Sequence, residues 1–169
     1  MLGYAFDKYA AACSSYYILD PGAGTGPWGE MARKLLPCTR VDAYEIDPAH
    51  PPNPAYDAWH TTDFLTAKPC PHLKYDFVIG NPPYRDAEAF VRKSFEFVSR
   101  HGIIVFLLKL AFLEGQRRRD GLYSEYPLAE CVVLSKRPSF QADGKTTPDA
   151  YGVFIWQMDH SGPTTIKHL

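Results

Sequence analysis

The chain has 169 residues, 46% of them hydrophobic, and a formal net charge of −1. That length suits one compact domain with a sizeable core and is too short for two; no apolar run is long enough for a membrane span, and the near-zero charge excludes a chain-wide electrostatic grip on nucleic acid. The four cysteines, Cys13, Cys38, Cys70 and Cys131, are scattered without metal-ligand spacing, and Asp7 and Lys8 interrupt any apolar leader, so no bound metal, no secretory signal and a cytoplasmic setting with reduced thiols are expected.

In chain order, a strand is predicted over 16–19, ending at Asp20-Pro21 and a glycine loop. Pro27 suits a first helical position, and Trp28, Met31, Ala32, Leu35 and Leu36 repeat on one helical face until Pro37. A second strand is predicted over 41–46, then a proline-rich stretch from Pro48 to Pro54 too short to separate domains, and a weaker strand over 58–62. The fourth strand, 75–80, runs into Asn81-Pro82-Pro83-Tyr84. Two successive prolines cannot continue a central strand, so this motif belongs at the strand's C-terminal end. Asp86 is a predicted cap for a helix that turns Phe90, Val91, Phe95 and Val98 inward and pairs Glu88 with Arg92 and Glu96 with Arg100, until Gly102 breaks it. Residues 103–108 form the most apolar, central strand; a basic cluster, Arg117-Arg118-Arg119, follows it, and 131–134 and 151–156 are closing strands. Strands alternating with helical patterns predict an α/β fold with a mostly parallel sheet.

Asp20-Pro21-Gly22-Ala23-Gly24-Thr25-Gly26 sits at a strand end, where open α/β sheets bind their ligands, and its glycines allow close backbone approach. Gly24-Thr25-Gly26-Pro27-Trp28-Gly29 also satisfies the dinucleotide pattern, with Glu45 about twenty residues on. An acid at the strand end favours a positively charged amino acid moiety over a pyrophosphate.

Asn81-Pro82-Pro83-Tyr84 is the sharpest signal. An exocyclic amino nitrogen is a poor nucleophile because its lone pair is delocalised into its ring. An Asn81 oxygen and the Pro82 carbonyl, each accepting one N–H, would orient that nitrogen and push it towards tetrahedral geometry, while Tyr84 offers a flat stacking face for an extruded base. Gly144-Lys145-Thr146 lacks the upstream glycine of a phosphate loop and reads as a turn in the 139–148 loop.

With these motifs in this order over 18–156, the chain resembles the class I S-adenosylmethionine-dependent methyltransferases, and most of all small phage- or prophage-type N6-adenine DNA methyltransferases with an Asn-Pro-Pro-Tyr motif. The resemblance implies a Rossmann-like fold with a seven-stranded mostly parallel sheet and helices on both faces, in a single domain over 1–169 without a separate target-recognition domain. It also implies that Asp20, Gly22, Ala23, Gly24 and Gly26 surround the methionine portion of S-adenosyl-L-methionine, that Glu45 holds its ribose with Ile46 against its adenine, and that Asp63 and Phe64 flank that adenine. Asn81, Pro82, Pro83 and Tyr84 would form the catalytic motif, with Asn81 also meeting the cofactor. Phe140 is the expected second wall against the target base, and Tyr84, Arg117, Arg118, Arg119 and Lys145 the expected substrate contacts. Tyr4 and Phe6 would help enclose the cofactor. The implied partner is nucleic acid, DNA first, with low sequence specificity or target recognition supplied by a second copy or a partner subunit. The same motif serves RNA amino groups and protein glutamine, and a non-catalytic subunit of a heteromeric methyltransferase is the reading from another class. A nicotinamide oxidoreductase has only the glycine loop behind it.

Overall fold

The apolar strands alternate their side chains between two faces, and each face finds a helical layer. The computed structural model describes residues 2–10, 15–136 and 148–169. Eight strands form one sheet: β1 (Tyr16–Asp20), β2 (Cys38–Glu45), β3 (Ala58–Thr61), β4 (Tyr75–Gly80), β5 (Val98–Lys109), β6 (Glu130–Val133), β7 (Tyr151–Gln157) and β8 (Thr165–His168). Their spatial order is β3-β2-β1-β4-β5-β7-β6-β8. Among the described residues, only the β5–β7 and β6–β7 pairs are antiparallel.

Ile18, Phe77, Ile79, Ile103, Val105, Val153 and Ile155 face one way, against α1 (Leu2–Tyr9) and α2 (Pro27–Leu35). Leu19, Val78, Ile104, Phe106, Phe154 and Trp156 face the other, against α3 (Ala87–Phe95) and α5 (Leu122–Glu125), with the short α4 (Gln116–Asp120) leading into α5. This period of two on strands buried on both sides is what a sheet sandwiched between helices requires.

The expected class holds: the fold is α/β and Rossmann-like, with helices on both faces of a mostly parallel sheet. The strand count is eight, not seven. β8 pairs with β6 in parallel and all four of its residues are exposed, so it carries no burial pattern for a sequence reading to detect.

Three local expectations also change. On α2, Met31 and Leu35 are exposed, and Gly29 and Ala32 form the buried strip instead, because the helix lies close on Tyr56, where only a glycine fits. Gly102 does not end a helix: α3 stops at Phe95, and Val98 already belongs to β5. The β4–β5 register jumps from Tyr75↔Val98 to Phe77↔Ile103, and the chain doubles back so tightly that a Cβ at Gly102 would lie 2.5 Å from Val98 Cβ. Glu88 pairs with Arg92 as the spacing predicts, but Glu96 takes Lys93, while Arg100 lies 3.9 Å from Asp159. Asp86 does stand at the N-cap of α3, without a side-chain capping hydrogen bond.

Among the described residues, no helix is long and apolar enough to cross a membrane.

Candidate active site

The strand order reverses between β1 and β4, which are neighbours in parallel register, with Ile18 opposite Phe77 and Leu19 opposite Val78. The crevice beyond the carboxyl ends of such a pair is where open α/β sheets bind ligands. The glycine loop leaves β1 and the Asn81 motif leaves β4, so the topology places both on one cavity. That cavity measures about 270 Å³, and Gly22, Gly24, Glu45, Ile46, Asp63, Phe64, Asn81, Pro82, Pro83 and Tyr84 line it, together with Pro21 and Phe90.

The loop is held in shape before any ligand arrives. Gly24 (φ +55°) and Gly26 (φ +95°) occupy the left-handed region that side chains disfavour. Gly24 N–H donates to Glu45 Oε2 at 2.6 Å, and Asp47 N–H donates to Glu45 Oε1 at 2.8 Å. Ala23 is buried and its N–H donates to the Tyr44 carbonyl at 3.0 Å. Ala23 and Gly26 thus shape the loop from behind and do not line the cavity.

Asp20 also lies beneath the cavity. It is fully buried, accepts the Tyr56 hydroxyl at 2.7 Å and the Gly22 N–H at 3.3 Å, and burial above all pushes its carboxyl up to about 7. Its contact with any ligand is therefore indirect, through the loop it positions. Tyr56 escaped the sequence reading: its hydroxyl donates to Asp20 and accepts the Gly29 N–H at 2.9 Å, tying β1, α2 and the proline-rich stretch together. Gly29, the last glycine of the dinucleotide-like pattern, was the available clue, because a Cβ there would come within 2.3 Å of the Tyr56 ring. Phe90 was read as core, and it does pack 5.4 Å from Phe64, yet it also forms part of the cavity wall.

Among the described residues the wall carries two carboxylates, Glu45 and Asp63, and no lysine, arginine or histidine. Such a lining suits a cationic ligand and opposes a pyrophosphate, which argues against the dinucleotide pattern. Asp63 caps a short 3-10 turn, Phe64–Thr66, by accepting the Leu65 N–H at 2.9 Å, and that turn delivers Phe64 to the cavity. Ile46 is 67% exposed at the rim, opposite in character to the acids and available as an apolar lid.

On the β4 side, Asn81 Oδ1 is buried and has no hydrogen-bond partner among the described residues. A buried acceptor left open is costly, so its partner is expected to be a ligand donor. Tyr84 lies with its ring 5.7 Å from that of Tyr151 and the Lys109 ammonium 5.3 Å from its ring centre. Burial pushes the Tyr84 phenol up, hydrogen bonding with Tyr151 adds to this, and hydrogen bonding with the Asn81 side chain opposes it. Lys109, at the end of β5, is held by Asp149 at 2.7 Å.

The remaining expected residues do not meet in this cavity. Tyr4 and Phe6 belong to α1, under the opposite face: Phe6 packs edge-on against Phe77 at 5.1 Å, and the Tyr4 hydroxyl donates to Glu130 at 2.6 Å. They do not enclose the site. Arg117 and Arg118 line a neighbouring groove that shares Tyr84, whereas Arg119 pairs with Asp120 and lines a separate depression. Phe140 and Lys145 lie outside the described residues.

No family model and no curated protein matches the sequence. Solved structures do resemble it. A protein from Listeria monocytogenes assigned as a class I S-adenosylmethionine-dependent methyltransferase superposes with a TM-score of 0.72 at 13% identity, over 99% of this chain and 62% of its own. A protein from Lactococcus lactis named as a hemolysin gives 0.70 at 10% identity, over 99% and 90%. A modification subunit assigned to a type I restriction enzyme from Vibrio vulnificus gives 0.64 at 14% identity, over 96% and 44%. The chain thus spans less than two thirds of the Listeria protein's length, and identities this low speak for the fold alone. The fold those structures share with this chain is the Rossmann-like α/β fold.

Proposed function

We propose that this chain is an S-adenosylmethionine-dependent methyltransferase acting on an exocyclic amino nitrogen, adenine N6 in DNA, with low sequence specificity. The observation that carries the reading is Asn81 Oδ1, buried without a partner among the described residues, at the wall of a cavity whose described lining holds carboxylates and no cation. The cofactor, when bound, supplies an electrophilic methyl on a positively charged sulfur. The residues present fit it. Gly22 and Gly24 bring backbone close to the methionine portion; Glu45 takes the ribose hydroxyls; Asp63, Ile46 and Phe64 take the adenine. Asp20, Ala23 and Gly26 hold the loop in place for them.

Asn81 Oδ1 and the Pro82 carbonyl each accept one N–H of the acceptor, which frees the nitrogen lone pair for in-line attack. With the cofactor bound, the nitrogen would take its methyl in exchange for the sulfonium's bond to it, and the nitrogen's surplus proton would then leave to water. No strong base is required before transfer; the residues act by position and by complementary charge. Tyr84 provides the stacking face, and Pro83 stiffens the turn that presents it. The reading takes the 169 residues as one methyltransferase domain, with target recognition supplied by a second copy or a partner subunit.

The test is methyl transfer from labelled S-adenosylmethionine to matched DNA, RNA and protein acceptors, with digestion and mass identification of the product. N6-methyladenine from DNA is expected, and Asn81→Ala should lower turnover about 100-fold or more with cofactor binding retained. Label in RNA or in glutamine would move the acceptor. Cofactor binding without transfer to any acceptor would point to a subunit that needs its partner.

A further inference from the structure

We propose that the groove between the start of α3 and α4 holds a nucleic-acid phosphate flanking the acceptor base, and that Arg85 and Arg117, not the whole Arg117–Arg119 cluster, are its ligands; this rests on the methyltransferase reading above. The groove, about 470 Å³, shares Tyr84 with the candidate active site, so a base stacked on that ring carries its own backbone past the groove's mouth. Its charged lining is Arg85, Arg92, Arg117 and Arg118 against Asp86 and Glu88.

The four arginines are not equivalent. Arg118 is spent on the backbone: Nε donates to the Phe112 and Glu114 carbonyls at 2.9 Å each, and Nη2 to the Glu114 and Ala111 carbonyls at 2.5 and 3.2 Å. It closes the turn that precedes α4. Arg92 is taken by Glu125 and by Glu88, which in turn uses up that acid. Arg119, outside the groove, is taken by Asp120 at 2.7 Å.

Arg85 and Arg117 remain. Arg85 has a side chain 93% exposed, and its one acidic neighbour among the described residues, Asp86, makes only a loose ion pair at 3.6 Å, beyond hydrogen-bond reach. The Arg117 side chain has no hydrogen bond or ion pair among the described residues, although those of Arg118 and Arg119 after it are bound. Two uncommitted guanidinium groups beside a stacking ring match a phosphodiester, whose oxygens take their fork in pairs. The cluster that sequence spacing suggests is therefore divided: its middle member is structural, and the partner for Arg117 is the residue immediately after the Asn-Pro-Pro-Tyr motif.

The experiment measures binding of a fluorescent oligonucleotide, single-stranded and duplex, to the full chain over a salt series, for wild type, R85A/R117A and R119A, with cofactor affinity measured beside each. The double variant should bind about tenfold more weakly near 0.1 M salt and lose about 0.7 to 0.9 from the slope of log K against log salt, while R119A changes neither and all three keep cofactor affinity. Cofactor affinity doubles as the check that each variant is folded. Wild-type affinity and slope in R85A/R117A, an equal loss in R119A, or no oligonucleotide binding by the wild type alongside tight binding of a poly-glutamate peptide would each overturn the groove assignment. Failure of the wild type to bind S-adenosylmethionine would instead sink the methyltransferase reading, since the oligonucleotide series reports on the groove separately.

Discussion

Asp20 is the residue whose chemistry differs most from what its place in the sequence suggests. Read as an acid at a strand end, it is an obvious ligand for a cation; in the fold it is fully buried under the glycine loop and bound by Tyr56 and Gly22. Burial raises its carboxyl from 3.8 to about 7, so the folded chain keeps a proton there that the unfolded chain releases. The stability this lends is fully present below the unfolded value and is lost as pH rises through about 7. Urea unfolding at pH 5 and pH 8 should therefore show wild type losing stability over that interval and Asp20→Asn losing less; equal slopes would mean the carboxyl is already ionised at pH 5. Asn81 was legible because a motif fixes both its type and its neighbours. Tyr56 was not, since its partner Asp20 lies 36 positions away and only the path of the proline-rich stretch brings them together. The Arg117–Arg119 run shows the converse: identical residue types in sequence, sorted by local backbone into a side chain without a partner among the described residues, a turn closure and an exposed ion pair.

At the scale of elements, α1 and α2 are joined to the sheet by unlike devices. α2 relies on a missing side chain, with Gly29 pressed on Tyr56. Gly29→Ala should displace the Tyr56 ring and cost about 1–3 kcal/mol, read as a lower urea midpoint with unchanged m-value. α1 relies on polar bonds to a single carboxylate: Glu130, with its side chain wholly buried, accepts the Tyr4 and Tyr9 hydroxyls at 2.6 and 2.9 Å and Lys8 at 2.7 Å. Burial alone would raise that carboxyl, but its hydrogen bonds to Lys8, Tyr4 and Tyr9 hold it below the usual carboxylate range. Its contribution is therefore present at neutral pH and fades as pH falls through the folded value. Glu130→Gln should cost about 2 kcal/mol at pH 7 and less at pH 3, by the same unfolding measurement. The sequence located the apolar strands of the sheet, because burial on both faces leaves dense apolar runs. It missed α1, whose eight residues mix three apolar contacts with a polar clasp, and β8, which buries nothing.

For the whole molecule, the strand order does what neither motif does alone: it sets β1 beside β4 and so brings a loop at residue 22 to a turn at residue 81. The alternation of strands and helices made that class legible, and the placing of the glycine loop and the Asn81 motif at strand ends pointed to the crevice; the reversal of strand order that brings them together is seen only in the fold. What the sequence could not order was the end of the sheet, where β7 inserts between β5 and β6 and β8 is added outside. Amide hydrogen exchange should follow this layout, with the slowest amides in β4 and β5, and β8 and β3 exchanging orders of magnitude sooner at the margins. The α1 clasp has a further consequence, for the order in which the chain can be completed. Tyr4 and Glu130 are 126 positions apart. On a ribosome adding roughly 5–20 residues per second, Tyr4 is made roughly 6–25 seconds before its carboxylate partner. Through that interval Tyr4, Lys8 and Tyr9 have no acid to bind, and the helix can be held only by apolar contacts such as Phe6 on Phe77. Docking of the first helix is thus an event of late synthesis, and a nascent chain halted before residue 130 should expose α1 to protease while one released past it should not.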